Sequence, residues 1–168
     1  METTNGTAAT PASEFIESSR VFLREDYLPK ILHCLDQMSE EDVWWRPNEA
    51  SNSTGNLVLH LCGNLRQWIV STIGGVAFER QRDAEFATRG PVPKAELVAA
   101  LKQVCAEVDN VFAQVESEQL LKRLKVQKYE VSTLQAIYHV IEHFAYHLGQ
   151  ILYIFKLRTG SDPRFYQL

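Results

Sequence analysis

Three of the chain's five histidines, His139, His143 and His147, stand four residues apart in the run HVIEHFAYHLGQ. On a helix, side chains at that spacing lie one turn apart and can share one partner. A divalent metal is the sharpest candidate for that partner, and plain packing with hydrogen bonds is the alternative. Winding the segment at about 100° per residue centres its apolar arc near Ile137, Leu148 and Phe155. His147 then falls roughly 90° from that centre, His143 about 130° and His139 about 170°. The 143/147 pair flanks the packed face, at an edge that a small molecule can reach, whereas His139 points outward.

Two imidazoles hold a catalytic metal poorly without a third ligand. The segment NLVLHLCGNLRQWI offers His60. There Leu57, Leu61, Leu65, Trp68 and Ile69 build an apolar side, and His60, Asn64, Gln67 and Ser71 a separate polar stripe. So narrow a polar stripe on an apolar helix costs stability unless it is wet or liganded. His60 with His143 and His147 makes a three-nitrogen site with open coordination positions, its approach lined by the amides of Asn64 and Gln67. His33, between Leu32 and Cys34, reads as a packed histidine. The run ERQRDAE reads as a solvated charge cluster, with the option of holding an anionic substrate through Arg80 or Arg82.

Four long helices must position these residues. The first spans 13–38, with a kink at Pro29, which lacks the N–H that the hydrogen-bond ladder needs. After a connection whose Trp44 and Trp45 pack on the helices, the second spans 53–73 and stops at Gly74-Gly75. A charged crossover closed by prolines leads to the third, from Pro93 to Glu116. The run KRLKVQKYEV is a connection with room for a short extended piece. The fourth starts at Ser132, which forms a capping box with Gln135, and runs to Thr159 before Gly160. Its steps of four and three through Leu134, Tyr138, Ile141, Ala145, Leu148, Leu152 and Phe155 predict the seam of a bundle helix. The fold class is therefore all-α, a four-helix bundle.

The chain's 168 residues, 45% hydrophobic and 23% charged, suit one domain over 13–168 with a full core. Residues 1–12, METTNGTAATPA, read as a disordered tail rather than a signal peptide. A net charge of −4 without a basic block argues against nucleic-acid or anionic-membrane partners. No apolar run approaches the roughly 18 residues of a membrane span. Cys34, Cys62 and Cys105, odd in number and widely spaced, predict buried free thiols in a reducing compartment, the cytoplasm.

One histidine in the second helix, with HxxxHxxQ in the last, resembles the DinB-like superfamily of metal-dependent enzymes. The likeness runs from Trp44 to Leu157 through NSTGNLVLHLCGNLRQW, RDAEF and YEVSTLQAIYHVIEHFAYHLGQILY. It implies an up-up-down-down bundle, often a homodimer, with a divalent metal on His60, His143 and His147. Gln150 matches the family's glutamine one turn beyond the last ligand, and His139 stays outside the ligand set. Some members use a low-molecular-weight thiol such as bacillithiol, mycothiol or glutathione.

The expected function is that of a thiol S-transferase acting on a small-molecule substrate, with zinc or nickel as the metal. The thiol is bound as thiolate and attacks an electrophile held under the crossover, with Asn64, Gln67 and Arg82 as substrate-binding residues. Helical phase places none of the three cysteines as the nucleophile. A hydrolase using metal-bound water is the second expectation and wants a carboxylate base, Glu142 or Glu85. The third is a non-catalytic binding or sensing bundle, in which a fourth ligand such as His139 or Glu85 closes the site.

Overall fold

The structure, a computed structural model, describes residues 9–165. The expected N-terminal tail lies largely outside them. Where the description begins, Thr10 caps α1 (Pro11–Val21), so Pro11 and Ala12 are helical rather than tail. The first rod continues through a π-helical segment (Phe22–Tyr27) into α2 (Leu28–Gln37). Pro29 does not break it. Instead the turn before the proline widens, and the Leu28 N–H reaches back five residues to the Leu23 carbonyl.

The connection that follows contains a short helix, α3 (Glu40–Trp44), and both tryptophans pack on the core as expected. The second rod is α4 (Thr54–Leu65) followed by another π-helical segment (Arg66–Ser71). The crossover holds α5 (Arg82–Ala87), and the third rod is α6 (Lys94–Phe112), which ends four residues short of the expected Glu116. The run KRLKVQKYEV forms an antiparallel hairpin of β1 (Arg123–Val126) and β2 (Tyr129–Ser132), with Val126 opposite Tyr129. Last comes α7 (Thr133–Thr159), capped by Ser132 and stopped by Gly160 at φ 66°.

The chain is thus mostly helical with one two-stranded sheet. α1 and α2 pack against α6 and α7, and α4 also packs against both. Their shared core includes Ile31, Leu35, Leu61, Leu65, Leu101, Val108, Phe112, Phe144 and Phe155. Among the described residues no helix is long and apolar enough to cross a membrane.

The buried stripe of α7 is Ala136, Ile137, Val140, Phe144, His147, Leu148, Ile151, Ile154 and Phe155. The predicted seam coincides with it at Leu148 and Phe155 but departs at Tyr138, which is 59% exposed. An α-helix drifts by about 20° per heptad from a strict seven-residue repeat, so a seam extended over three heptads leaves the true face.

The start of α7 fixes the phase of everything on it. The Ser132 hydroxyl accepts from the Gln135 N–H (3.1 Å), and the Gln135 side chain accepts from the Ser132 N–H (2.8 Å). Replacing Ser132 by Ala should cost about 1 kcal/mol. Urea unfolding should show a lower midpoint with an unchanged slope.

Candidate metal centre

α4 carries His60 and α7 carries His143 and His147 to a common point. His143 Nε2 lies 3.0 Å from His60 Nε2 and 3.1 Å from His147 Nε2. His60 and His147 are only 5% and 7% exposed. Each ring offers one ligand nitrogen, and the three nitrogens all lie within 4.8 Å of one another.

The outer nitrogens explain which way the lone pairs face. His60 Nδ1 is 2.9 Å from Glu85 Oε2, and His147 Nδ1 is 2.8 Å from Gln150 Oε1. An ionised carboxylate and an amide oxygen only accept, so towards these partners both Nδ1 atoms donate and both Nε2 lone pairs turn inward. Arg80 Nη2 also lies 3.1 Å from His60 Nδ1, but its shorter bond, 2.8 Å, goes to Glu85 Oε2. His143 Nδ1 is buried with no partner, so only the shared centre decides where its proton sits. A cation at that centre draws all three lone pairs, and the donor set fits a divalent metal that accepts imidazole.

Burial, followed by the neighbouring imidazoles, pushes His143 down to about 3. Burial also lowers His147, against the hydrogen bond that its Nδ1 donates to Gln150. His143 and His147 are therefore poised neutral, the form that binds metal.

The crossover supplies what the sequence did not show. Arg80 and Glu85 are not solvated: the Arg80 side chain is 6% exposed, and Glu85 is buried. Arg80 holds the carboxylate through two bonds, Nε to Oε1 at 2.7 Å and Nη2 to Oε2 at 2.8 Å. Burial opposes the charge on Glu85, yet the bonds from Arg80 and His60 outweigh it and hold the carboxyl below its ordinary range. Arg80 Nη1 also donates to Gln67 Oε1 (3.0 Å), which takes a second bond from Gln127 at the hairpin turn (3.2 Å). Asn56 fastens this segment to α4, donating from Nδ2 to the carbonyls of Glu85 and Thr88 at 2.8 Å each. Gly63 leaves room for it, since a Cβ there would overlap Glu85 Oε1.

The remaining candidates sort as follows. Asn64 is 4% exposed and stands one turn beyond His60 on α4. Gln67 is occupied by Arg80 and Gln127, so its carbonyl is part of the wall. Arg82 is exposed and lies over the Phe86 ring (5.0 Å), and that ring packs on His60 at 4.5 Å between centroids. His139 does not point freely outward: it is half-buried against Trp68, with centroids 4.2 Å apart. His33 bonds Gln37 and meets Phe165 edge-on, as a packed histidine should.

Glu142 is exposed, and Glu85 faces the outer nitrogen of His60 rather than the centre. The three cysteines are free and buried. Burial pushes Cys34 up to about 11 and Cys62 up to about 12, so neither is a ready nucleophile. The sequence did contain RDAEF and Gly63. What it lacked was any sign that the crossover folds back over α4.

The fold defines the class. A DinB-like protein from Bacillus subtilis matches with a TM-score of 0.66 at 18% identity, covering 90% of this chain and 97% of that one. A DinB-like protein from Bacillus cereus matches at 0.68 and 15%, covering 90% and 95%. A conserved protein from Enterococcus faecalis matches at 0.62 and 17%, covering 89% and 96%. No curated protein matches the chain. Residues 11–165 match the family model described as "Protein of unknown function (DUF1572)", and the chain belongs to that family, a DinB-like one.

The histidine shifts have a consequence for stability. In the metal-free protein His143 stays neutral from its ordinary 6.5 down to about 3, whereas the unfolded chain takes up the proton near 6.5. The unfolded state then binds more protons in that window, so stability falls as the pH drops through it. Chelator-treated protein should show a lower urea midpoint at pH 5 than at pH 7.5. His143→Gln should make that difference smaller.

Proposed function

We propose that the chain is a divalent-metal-dependent enzyme, an up-up-down-down four-helix bundle with zinc or nickel on His60, His143 and His147. Its most fitting activity is a low-molecular-weight-thiol S-transfer. One observation carries this reading. Three imidazoles face a single point, and the carboxylate that touches one of them, Glu85, is already paired with Arg80. A cation there keeps its full charge and calls for an anionic ligand. When bound, such a metal holds a thiol as thiolate at neutral pH, although free thiols of pKa near 8.5 are mostly protonated.

The chain's own residues divide the remaining work. Asn64, one turn beyond His60 on α4, offers its amide to the bound molecule. Arg82, stacked on Phe86 beside His60, offers a guanidinium to its carboxylates. Gln67 shapes the wall between Arg80 and the hairpin, Gln150 orients His147, and His139 with Trp68 closes the far side.

A cleft of about 530 Å³ begins at Gln150 and is lined by Trp45, Leu57, Tyr146, Tyr153 and Leu157. Its aromatic walls suit the apolar body of an electrophile. The high thiol pKa values of Cys34 and Cys62 favour a bound thiol over a protein one. Hydrolysis has less support, since Glu85 is committed to Arg80 and Glu142 is exposed. The same reading makes the protein a cytoplasmic homodimer.

Elemental analysis of the purified protein should find about one divalent metal per chain. His147→Ala should abolish metal retention, and His139→Ala should leave it nearly intact. Protein that arrives metal-free and takes up neither zinc nor nickel overturns the proposal. In cobalt-loaded protein, at least one thiol among bacillithiol, mycothiol, glutathione, cysteine and coenzyme A should add a sulfur-to-metal charge-transfer band. Asn64→Ala should weaken that binding by about 1 kcal/mol, the value of one hydrogen bond.

A further inference from the structure

The three rings are held in unlike ways. His147 is oriented by a neutral amide one turn along its own helix, and His143 has no partner on its outer nitrogen. His60 alone is gripped by a charged group from a different segment. Both oxygens of Glu85 are used. Oε1 accepts from Arg80 Nε, and Oε2 accepts from Arg80 Nη2 and from His60 Nδ1.

This placement is fixed from three directions. Arg80 aligns the carboxylate in its plane, Asn56 pins the Glu85 backbone, and Gly63 leaves the gap into which the carboxylate drops. Any Cβ at position 63 meets Glu85 Oε1, and it also comes 3.0 Å from Arg80 Nε. An Arg–Glu pair that served only to close the crossover would form as well at the surface, without the desolvation that burial against α4 exacts. The burial sets the carboxylate against His60 Nδ1 at 2.9 Å, nearer than the 3.1 Å at which Arg80 Nη2 approaches the same atom.

We infer that Glu85 is the positioning residue of the metal centre, keeping His60 in the Nδ1–H tautomer with Nε2 turned to the shared point, and that Arg80 and Gly63 serve to hold it there. The inference rests on the metal reading of His60, His143 and His147. It also makes the crossover part of the centre. Metal occupancy and the docking of residues 80–88 on α4 must favour each other, because binding free energies are reciprocal.

Competition with a chromophoric chelator for zinc tests this on the full-length chain. Glu85→Ala and Gly63→Ala should each weaken zinc binding by about 10- to 100-fold, the range for losing a group that orients a ligand. Glu85→Gln should cost less, since its amide oxygen can still accept from Nδ1–H. Gly63→Ala removes no polar group, so its agreement with Glu85→Ala is diagnostic; if it does not fold, the two Glu85 variants decide. In metal-free wild type, nitrogen NMR should find His60 protonated on Nδ1, and Glu85→Ala should lose that preference. Zinc should slow hydrogen exchange at 82–88 in the wild type but not in Glu85→Ala. Unchanged zinc affinity in Glu85→Ala, or His60 protonated on Nε2 in the wild type, overturns the inference. A wild type that takes up no zinc overturns the metal reading instead, and the tautomer measurement still decides whether Glu85 holds His60.

Discussion

Three ring nitrogens pressed together between two helices are the constraint around which this protein is built. α4 and α7 could have met through apolar side chains alone, of the kind buried beside the histidines in sequence at Leu57, Leu61, Leu148 and Ile151. Instead they meet through imidazoles whose Nε2 atoms approach one another at about 3 Å. Buried polar atoms without suitable partners cost free energy, and His143 Nδ1 has none. The apolar contacts around the cluster must offset that cost, which ties the position of the site to the quality of the packing beside it.

The second layer of the structure manages the charge. A lone buried carboxylate would favour its own protonation. Arg80 removes that option and leaves the ring cluster close to electrically neutral. Because Arg80, Glu85 and Asn56 act on the same few atoms, a segment that looks like a connecting loop becomes one wall of the cluster. The hairpin joins through Gln127 and Gln67, so the crossover and the hairpin converge on the same side chain of the second rod.

Most of the rods were legible in the sequence because local chemistry marks their ends. Ser132 with Gln135, and Gly160, set α7 to within a residue. Gly74-Gly75 marked the stop of the second rod. His60, His143 and His147 were legible as a group because two stood on one helical edge and the third on a polar stripe.

What was hidden is non-local. Arg80 and Glu85 sit in a stretch whose composition matches a solvated loop, and only the fold shows it lying under cover. Tyr138 was misplaced because a heptad template drifts from a straight helix. His139 looked fully outward because the wheel could not include Trp68 from another rod.

The two π-helical segments, 22–27 and 66–71, carry a consequence for how this chain tolerates change in length. A turn closed by bonds to the fifth residue back holds one residue more than an α-turn over nearly the same rise. Each segment therefore behaves as an insertion absorbed inside a helix. Removing one residue from 66–71 would leave a continuous α-helix behind while rotating Trp68 and everything after it relative to His60. Length variation among related chains can thus be stored within a rod, without touching a loop, and shows itself as a change of facing rather than a change of fold.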